Sequence, residues 1–302
     1  MKKLVGLSIG IYQTRFGDKE ALRIAKEIGC DAVDFSLDTS WHEPDCAESV
    51  YSKGDDAVEK YYSEIGAYAK ELGLIISQTH GRCTSYKHDE EWNKKTLEKT
   101  RLDLIASKAL GAPALVVHNM STYVVGPETP AEEFHKKSIK MWNDMLPFAK
   151  KYGVKIATET FGDSPAHGCC DFFGQNEEFK KNYFEVKNGE YGEWFTACAD
   201  TGHSNKAMRF GEPKPADVIR EMKGEFTILH LNDNDTLTDQ HKMPLSGTID
   251  WKDVLDALEE TGYSGVYNME LGLDRYGREL AIEHGAFAVK IMKNLLKEKY
   301  GE

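Results

Sequence analysis

The sequence predicts an α/β protein, a single-domain (β/α)8 TIM barrel, on three observations. A junction in which a helical stretch ends at Gly and an apolar strand follows recurs six times. The segments between these junctions have helical period, and strand after strand finishes on a carboxylate or an imidazole. The junctions are IGCDAVDF, LGLIISQTH, LGAPALVVH, YGVKIATET, KGEFTILH and TGYSGVYNME. Gly suits the left-handed position just past a helix end, and a β-branched run after it suits a buried parallel strand.

Taken in order, residues 4–10 read as the first strand. Two lysines and the short apolar run LVGLSIGI open the chain, but no small-residue cleavage site follows, which argues against a secretory signal. Ala21, Ile24, Ala25 and Ile28 then share one helical face, as do Val58, Tyr61, Tyr62, Ile65, Ala69 and Leu72, and later Leu102, Ile105, Ala106 and Ala109. Thr129-Pro130-Ala131-Glu132 predicts an N-cap, a proline at the first helical position and a capping-box glutamate. Residues 162–193 are too long and too weakly periodic for a simple helix, and they predict an elaborated loop with a short helix beside the barrel mouth. Residues 195–200 supply a further strand. Trp251, Val254, Leu255 and Leu258 form another helical stripe, and residues 278–299 the last helix. Eight such units in 302 residues favour one closed barrel over residues 1–302. No G-x-G-x-x-G follows the first strand, which disfavours a doubly wound dinucleotide-binding sheet.

The bulk composition bounds the function. No run approaches the roughly 18 consecutive apolar residues of a membrane span. A formal charge of −12 argues against a broad nucleic-acid footprint, which needs local Lys and Arg density. Six cysteines without a C-x-x-C pair read as reduced thiols of a cytoplasmic protein. Homo-oligomer formation is left open.

In a closed barrel of this kind the C-terminal strand ends form the active face. Those ends carry Asp34, His80, His118, Glu159, Asp200 with His203 close behind, His230 and Glu270, and a loop after the seventh strand adds Asp239 and His241. Any one of these can simply cap a helix or bond a loop, and His42, His88, His135, His167 and His284, in loops or on helices, take that reading. Asp34 is a candidate to orient a neighbour. Several carboxylates converging on one small space repel one another unless a cation sits among them, and histidines with carboxylates around an open position fit a catalytic divalent ion. Tyr12, Phe35, Trp41, Tyr86, Tyr123 and Phe161 are candidates to stack on the face of a substrate at the mouth, and Arg15, Arg82 and Lys242 to contact an anion or hydroxyl.

The segments ATETF at Glu159, CADTGH at Asp200 to His203, TILHLNDND from His230, DQHKMPLSGTIDW from Asp239 and YNMEL at Glu270 resemble the xylose-isomerase-like barrel superfamily over the whole chain. That group holds sugar isomerases and epimerases, and also a branch of zinc-dependent endonucleases acting at abasic DNA sites. Similarity to the ketose 3-epimerases implies Glu159, Asp200, His230 and Glu270 as ligands of a divalent ion (Mn, Mg, Co or Zn), with His203 beside the substrate. It also implies Glu159 and Glu270 as the acid and base that pass a proton through an enediolate. That chemistry needs a polarised carbonyl and carboxylates on opposite faces of the reacting carbon.

Two features depart from the epimerases. Thr236 stands where they carry Arg, and Asp239 with His241 resembles the endonuclease branch, as do His80 and His118. His80, His118, His203, Asp239 and His241 are therefore candidate ligands for additional metal ions, and His80 and His118 join His203 as candidate substrate contacts. Against that branch, Asn119-Met120-Ser121 follows His118 without Pro-Gly, and no loop is dense in Arg, Lys and aromatics. The balance favours isomerisation or epimerisation of a small-molecule sugar or polyol. A multinuclear zinc phosphodiesterase and a non-catalytic sugar-binding barrel are the alternatives.

Overall fold

The computed structural model describes residues 2–39 and 46–301. Trp41 and His42 lie outside the described residues. Eight parallel strands follow one another around a ring: β1 Val5–Ser8, β2 Ala32–Ser36, β3 Ile75–His80, β4 Ala114–Val117, β5 Lys155–Glu159, β6 Phe195–Asp200, β7 Phe226–His230 and β8 Tyr267–Met269. Each pairs with its chain neighbour, β8 pairs with β1, and a parallel bridge between Leu231 and Met269 closes the ring. The chain is thus a (β/α)8 barrel, as the repeated junctions predict. All six junction glycines have φ between 68° and 93°, the left-handed turn that ends a helix and redirects the chain into a strand.

The helices are α1 Gly10–Phe16, α2 Asp18–Glu27, α3 Asp55–Glu71, α4 Glu90–Leu110, α5 Thr122–Val125, α6 Ala131–Tyr152, α7 Asn176–Lys187, α8 Thr201–Ala207, α9 Pro215–Glu221, α10 Trp251–Glu260 and α11 Arg278–Tyr300. Their apolar stripes meet the outward residues of the strands in one continuous core that includes Leu7, Val33, Phe35, Leu115, Ile156, Phe195, Leu229 and Tyr267. Among the described residues, no helix is long and apolar enough to cross a membrane.

Two local expectations are corrected. Pro130 occupies the cap of α6, which has no side-chain cap bond, and the Thr129 hydroxyl donates instead to the carbonyl of Val125. In the long segment after β5, residues 163–164 and 169–170 pair as a small antiparallel hairpin, and α7 is a regular helix of 12 residues.

Strand side chains alternate faces, and this alternation builds the site. Ala114, Val116, Ala157, Cys198 and Ile228 form a separate small apolar cluster inside the ring. Two residues further along the same strands come His118, Glu159, Asp200 and His230. A dry floor therefore carries a layer of ionisable groups at the C-terminal mouth.

Candidate metal centre

Glu159, Asp200, His230 and Glu270 each offer a ligand atom, and all four atoms lie within 4.8 Å of one another. His230 is central to this tetrad. Its Nδ1 lies 2.7 Å from Glu159 Oε1 and 3.3 Å from Glu270 Oε2, while Nε2 faces Asp34 Oδ2 at 3.1 Å on the other side. A carboxylate behind a ligating imidazole fixes the ring and strengthens its donor nitrogen, so Asp34 holds the position of an orienting group. Asp200 is held by its own helix: Oδ1 accepts from the backbone N–H of His203, capping α8, and Oδ2 accepts from Asn232 Nδ2 at 2.8 Å. The helix cap and the site residue are the same side chain.

Two further groups flank the tetrad. His118 Nε2 is 3.1 Å from Glu159 Oε2, and His80 Nε2 is 4.0 Å from Glu159 and 3.9 Å from Glu270. His80 Nδ1–H donates to the carbonyl of Gly81, leaving Nε2 toward the centre. On the other side His203, Asp239 and His241 form a triad. Asp239 Oδ2 lies 3.5 Å from His203 Nε2 and 3.4 Å from His241 Nε2, and His203 Nδ1–H donates to the carbonyl of Thr160. His241 sits at φ 44°, a backbone conformation that costs a non-glycine residue about 1–3 kcal/mol and clusters at functional sites.

The electrostatics show how crowded these charges are. Burial raises the Asp200 carboxyl to about 6, with the negative Glu159 pushing the same way and His203 opposing. Burial also lifts Glu159, but His230 and His118 outweigh it and hold the carboxyl well below the usual range. Glu270 is lowered in the same manner, against burial, by His230, His241 and His80. The imidazoles respond in kind. Burial opposes charge on His230, yet the carboxylates of Glu270, Glu159 and Asp34 carry it well above the ordinary value. His203 is likewise raised by Asp200 and Asp239, and His241 reaches about 9 through Asp239 and Glu270, each against burial. Protons on these rings neutralise the carboxylates where a cation otherwise would. Three carboxylates and an imidazole converging on one point suit a divalent ion with an open position. Burial pushes the Cys198 thiol to about 12, so it stays a neutral part of the floor.

All nine candidate ligands read from the sequence lie at this mouth, in the tetrad, the triad or the His80–His118 pair. Several weaker candidates do not. Tyr12 donates to the carbonyl of Ala281, Phe35 packs edge-on against Tyr62, and Tyr86 bonds Asp144, all buried among the helices. Arg82 donates to the carbonyl of Leu37 and pairs with buried Asp103, and Arg15 donates to the carbonyl of Asp274. Of the aromatics, Phe161 meets the site, edge-on to His118 and stacked toward His203 at 6.4 Å. Sequence reasoning missed Asn232 and Lys206. Asn232 lies inside the LNDND motif, so its spacing from His230 was the available signal; Lys206 had none.

Fold and site together define a barrel protein with a carboxylate–imidazole centre at its C-terminal mouth. The chain belongs to the xylose isomerase-like TIM barrel family, whose model matches residues 22–290. It is similar to the protein y4fM of Sinorhizobium fredii, with 26% identity over 62% of this chain, and spans only 56% of that relative's length. It is also similar to an inosose isomerase of Halalkalibacterium halodurans, with 25% identity over 70% of each protein. Among solved structures, a D-tagatose 3-epimerase-like protein superposes with a TM-score of 0.72, at 18% identity and 97% coverage of both chains.

Proposed function

We propose that this chain is a divalent-metal-dependent isomerase or epimerase of a sugar or related polyol. The observation that carries this reading is the tetrad, in which Glu159 and Glu270 approach one imidazole, His230, from two different strands. An ion held by Glu159, Asp200, His230 and Glu270 would polarise a substrate carbonyl and so acidify the neighbouring C–H. One glutamate then takes that proton and the other returns a proton on the opposite face. Asp34 keeps His230 oriented, Asn232 keeps Asp200 oriented, and Phe161 beside His118 and His203 offers an apolar surface to a sugar ring. His80 and His118, with His203 beside them, are the residues we assign to contact with substrate. The inosose isomerase and the epimerase-like structure act as guides to substrate class.

The test is solvent exchange. Ketohexoses and inososes incubated in deuterated water with the metal-loaded protein are expected to exchange a carbon-bound proton, read by NMR. Glu159→Gln and Glu270→Gln are each expected to slow that exchange by about 10²–10⁴-fold. Normal exchange in both variants would remove the acid–base pair.

The His203–Asp239–His241 triad and the His80–His118 pair on Glu159 favour a second reading, a multinuclear zinc phosphodiesterase. Three zinc ions per chain with cleavage of an abasic-site duplex would support it; one ion per chain argues for the isomerase.

A further inference from the structure

Lys206 lies on α8, three residues beyond His203, and in sequence it resembles any surface lysine. Its side chain is only 4% exposed, because the segment after β5 folds over it. There Nζ pairs with Asp163 Oδ1 at 2.5 Å, and the Asp163 side chain is itself buried and also paired with Arg209. The same ammonium lies 3.7 Å from Asp239 Oδ1. The two oxygens of Asp239 are thus divided: Oδ2 faces the imidazoles of His203 and His241, and Oδ1 faces Lys206. Among the described residues, no Lys or Arg pairs with the tetrad and its three carboxylates, whereas the triad, with one carboxylate, already has an ammonium against it.

We infer that Lys206 sets the metal stoichiometry of the mouth: its fixed ammonium competes for Asp239, so a second divalent ion binds the His203–Asp239–His241 triad weakly and exchangeably while the tetrad retains one ion. This rests on the metal reading of the tetrad and is independent of the isomerase chemistry. A unit positive charge a few ångströms from a divalent ion repels it strongly in a partly buried setting, and the charge is held by an ion pair rather than by a mobile surface chain. Lys206 is a positioning residue, since its burial keeps it from substrate.

The experiment uses the full chain stripped with a chelator and titrated with Mn2+ or Zn2+ by equilibrium dialysis with elemental analysis. The unaltered protein is expected to retain one ion and to take a second only at much higher metal concentration. Lys206→Met and Lys206→Gln are each expected to tighten the second ion by about tenfold or more without changing the first, and Lys206→Arg to behave as the unaltered protein does. Arg209 remains as a partner for Asp163 in the neutral variants, and the glutamine variant covers a folding failure of the methionine one. An unchanged or weakened second ion in the neutral variants, or an arginine variant that matches them, overturns the proposal. Failure of any ion to bind would take the tetrad reading down with it. Loss of substrate proton exchange with these metal counts intact would strike the isomerase reading alone.

Discussion

Asp34 shows how much one side chain outside the proposed ligand set can decide. It is fully buried in β2, its Oδ2 faces His230 Nε2, and its Oδ1 has no hydrogen-bond partner among the described residues. A buried carboxylate oxygen without a partner is costly, and if His230 is a metal ligand as proposed, orientation of its ring is a reason to keep it. Asp34→Asn is expected to weaken metal binding by about 10–100-fold, as removal of such outer partners does, while circular dichroism stays native. Undiminished affinity, measured by chelator competition, would leave Asp34 a packing residue.

At the scale of elements, the first turn of α8 is pressed against the loop after β7. A Cβ placed on Gly202 would lie 1.8 Å from Asn232 Oδ1, and Asn232 is the group that holds Asp200 Oδ2. Gly202→Ala must therefore displace Asn232 or the helix. Overpacking of this kind costs about 1–3 kcal/mol, to be read by urea denaturation, and it should weaken metal binding in the same variant. A fully stable variant with unaltered metal affinity would show that the two elements can separate without consequence. The alternation of strand faces, rather than any loop, sets the depth of the site, since Ile228 and Cys198 form the floor two residues below His230 and Asp200.

For the whole molecule, the mouth is a balance of imidazolium and carboxylate that a bound metal, on the proposed function, would replace. His203 and His230 are raised well above the usual imidazole value, His241 reaches about 9 and His80 is shifted the same way, so without a metal these rings favour their protonated forms more than a free imidazole does. A metal takes neutral imidazole, so binding releases protons. Raising the pH removes the competing protons. Apparent metal affinity is therefore expected to climb from pH 6 to pH 9, and to fall further below pH 6, where Asp200 is protonated as well. Calorimetry in buffers of different ionisation enthalpy should show net proton release; a pH-independent affinity would mean that the imidazoles are not ligands.

The local periods written in the chain determined the barrel. A glycine at six helix-to-strand junctions, an apolar run after it and a polar residue near the strand end are short-range patterns; all six glycines are left-handed, and the strand ends fall within one or two residues of the reading, β4 and β8 stopping at Val117 and Met269, one short of His118 and Glu270, and β1 at Ser8 rather than residue 10. The Thr129 cap failed because the helix begins one residue later, with Pro130 at the cap, and the Thr129 hydroxyl donates to the carbonyl of Val125 instead. Which strand-end residues converge, which nitrogen of His230 faces the glutamates, and the burial of Lys206 were decided by tertiary structure alone. These depend on ring closure and on side-chain directions set by neighbours as distant as Asp34 and His230, 196 positions apart. No pattern of period two or 3.6 carries information over such a separation, because it records how a residue faces its own element and not what the closed ring brings opposite it.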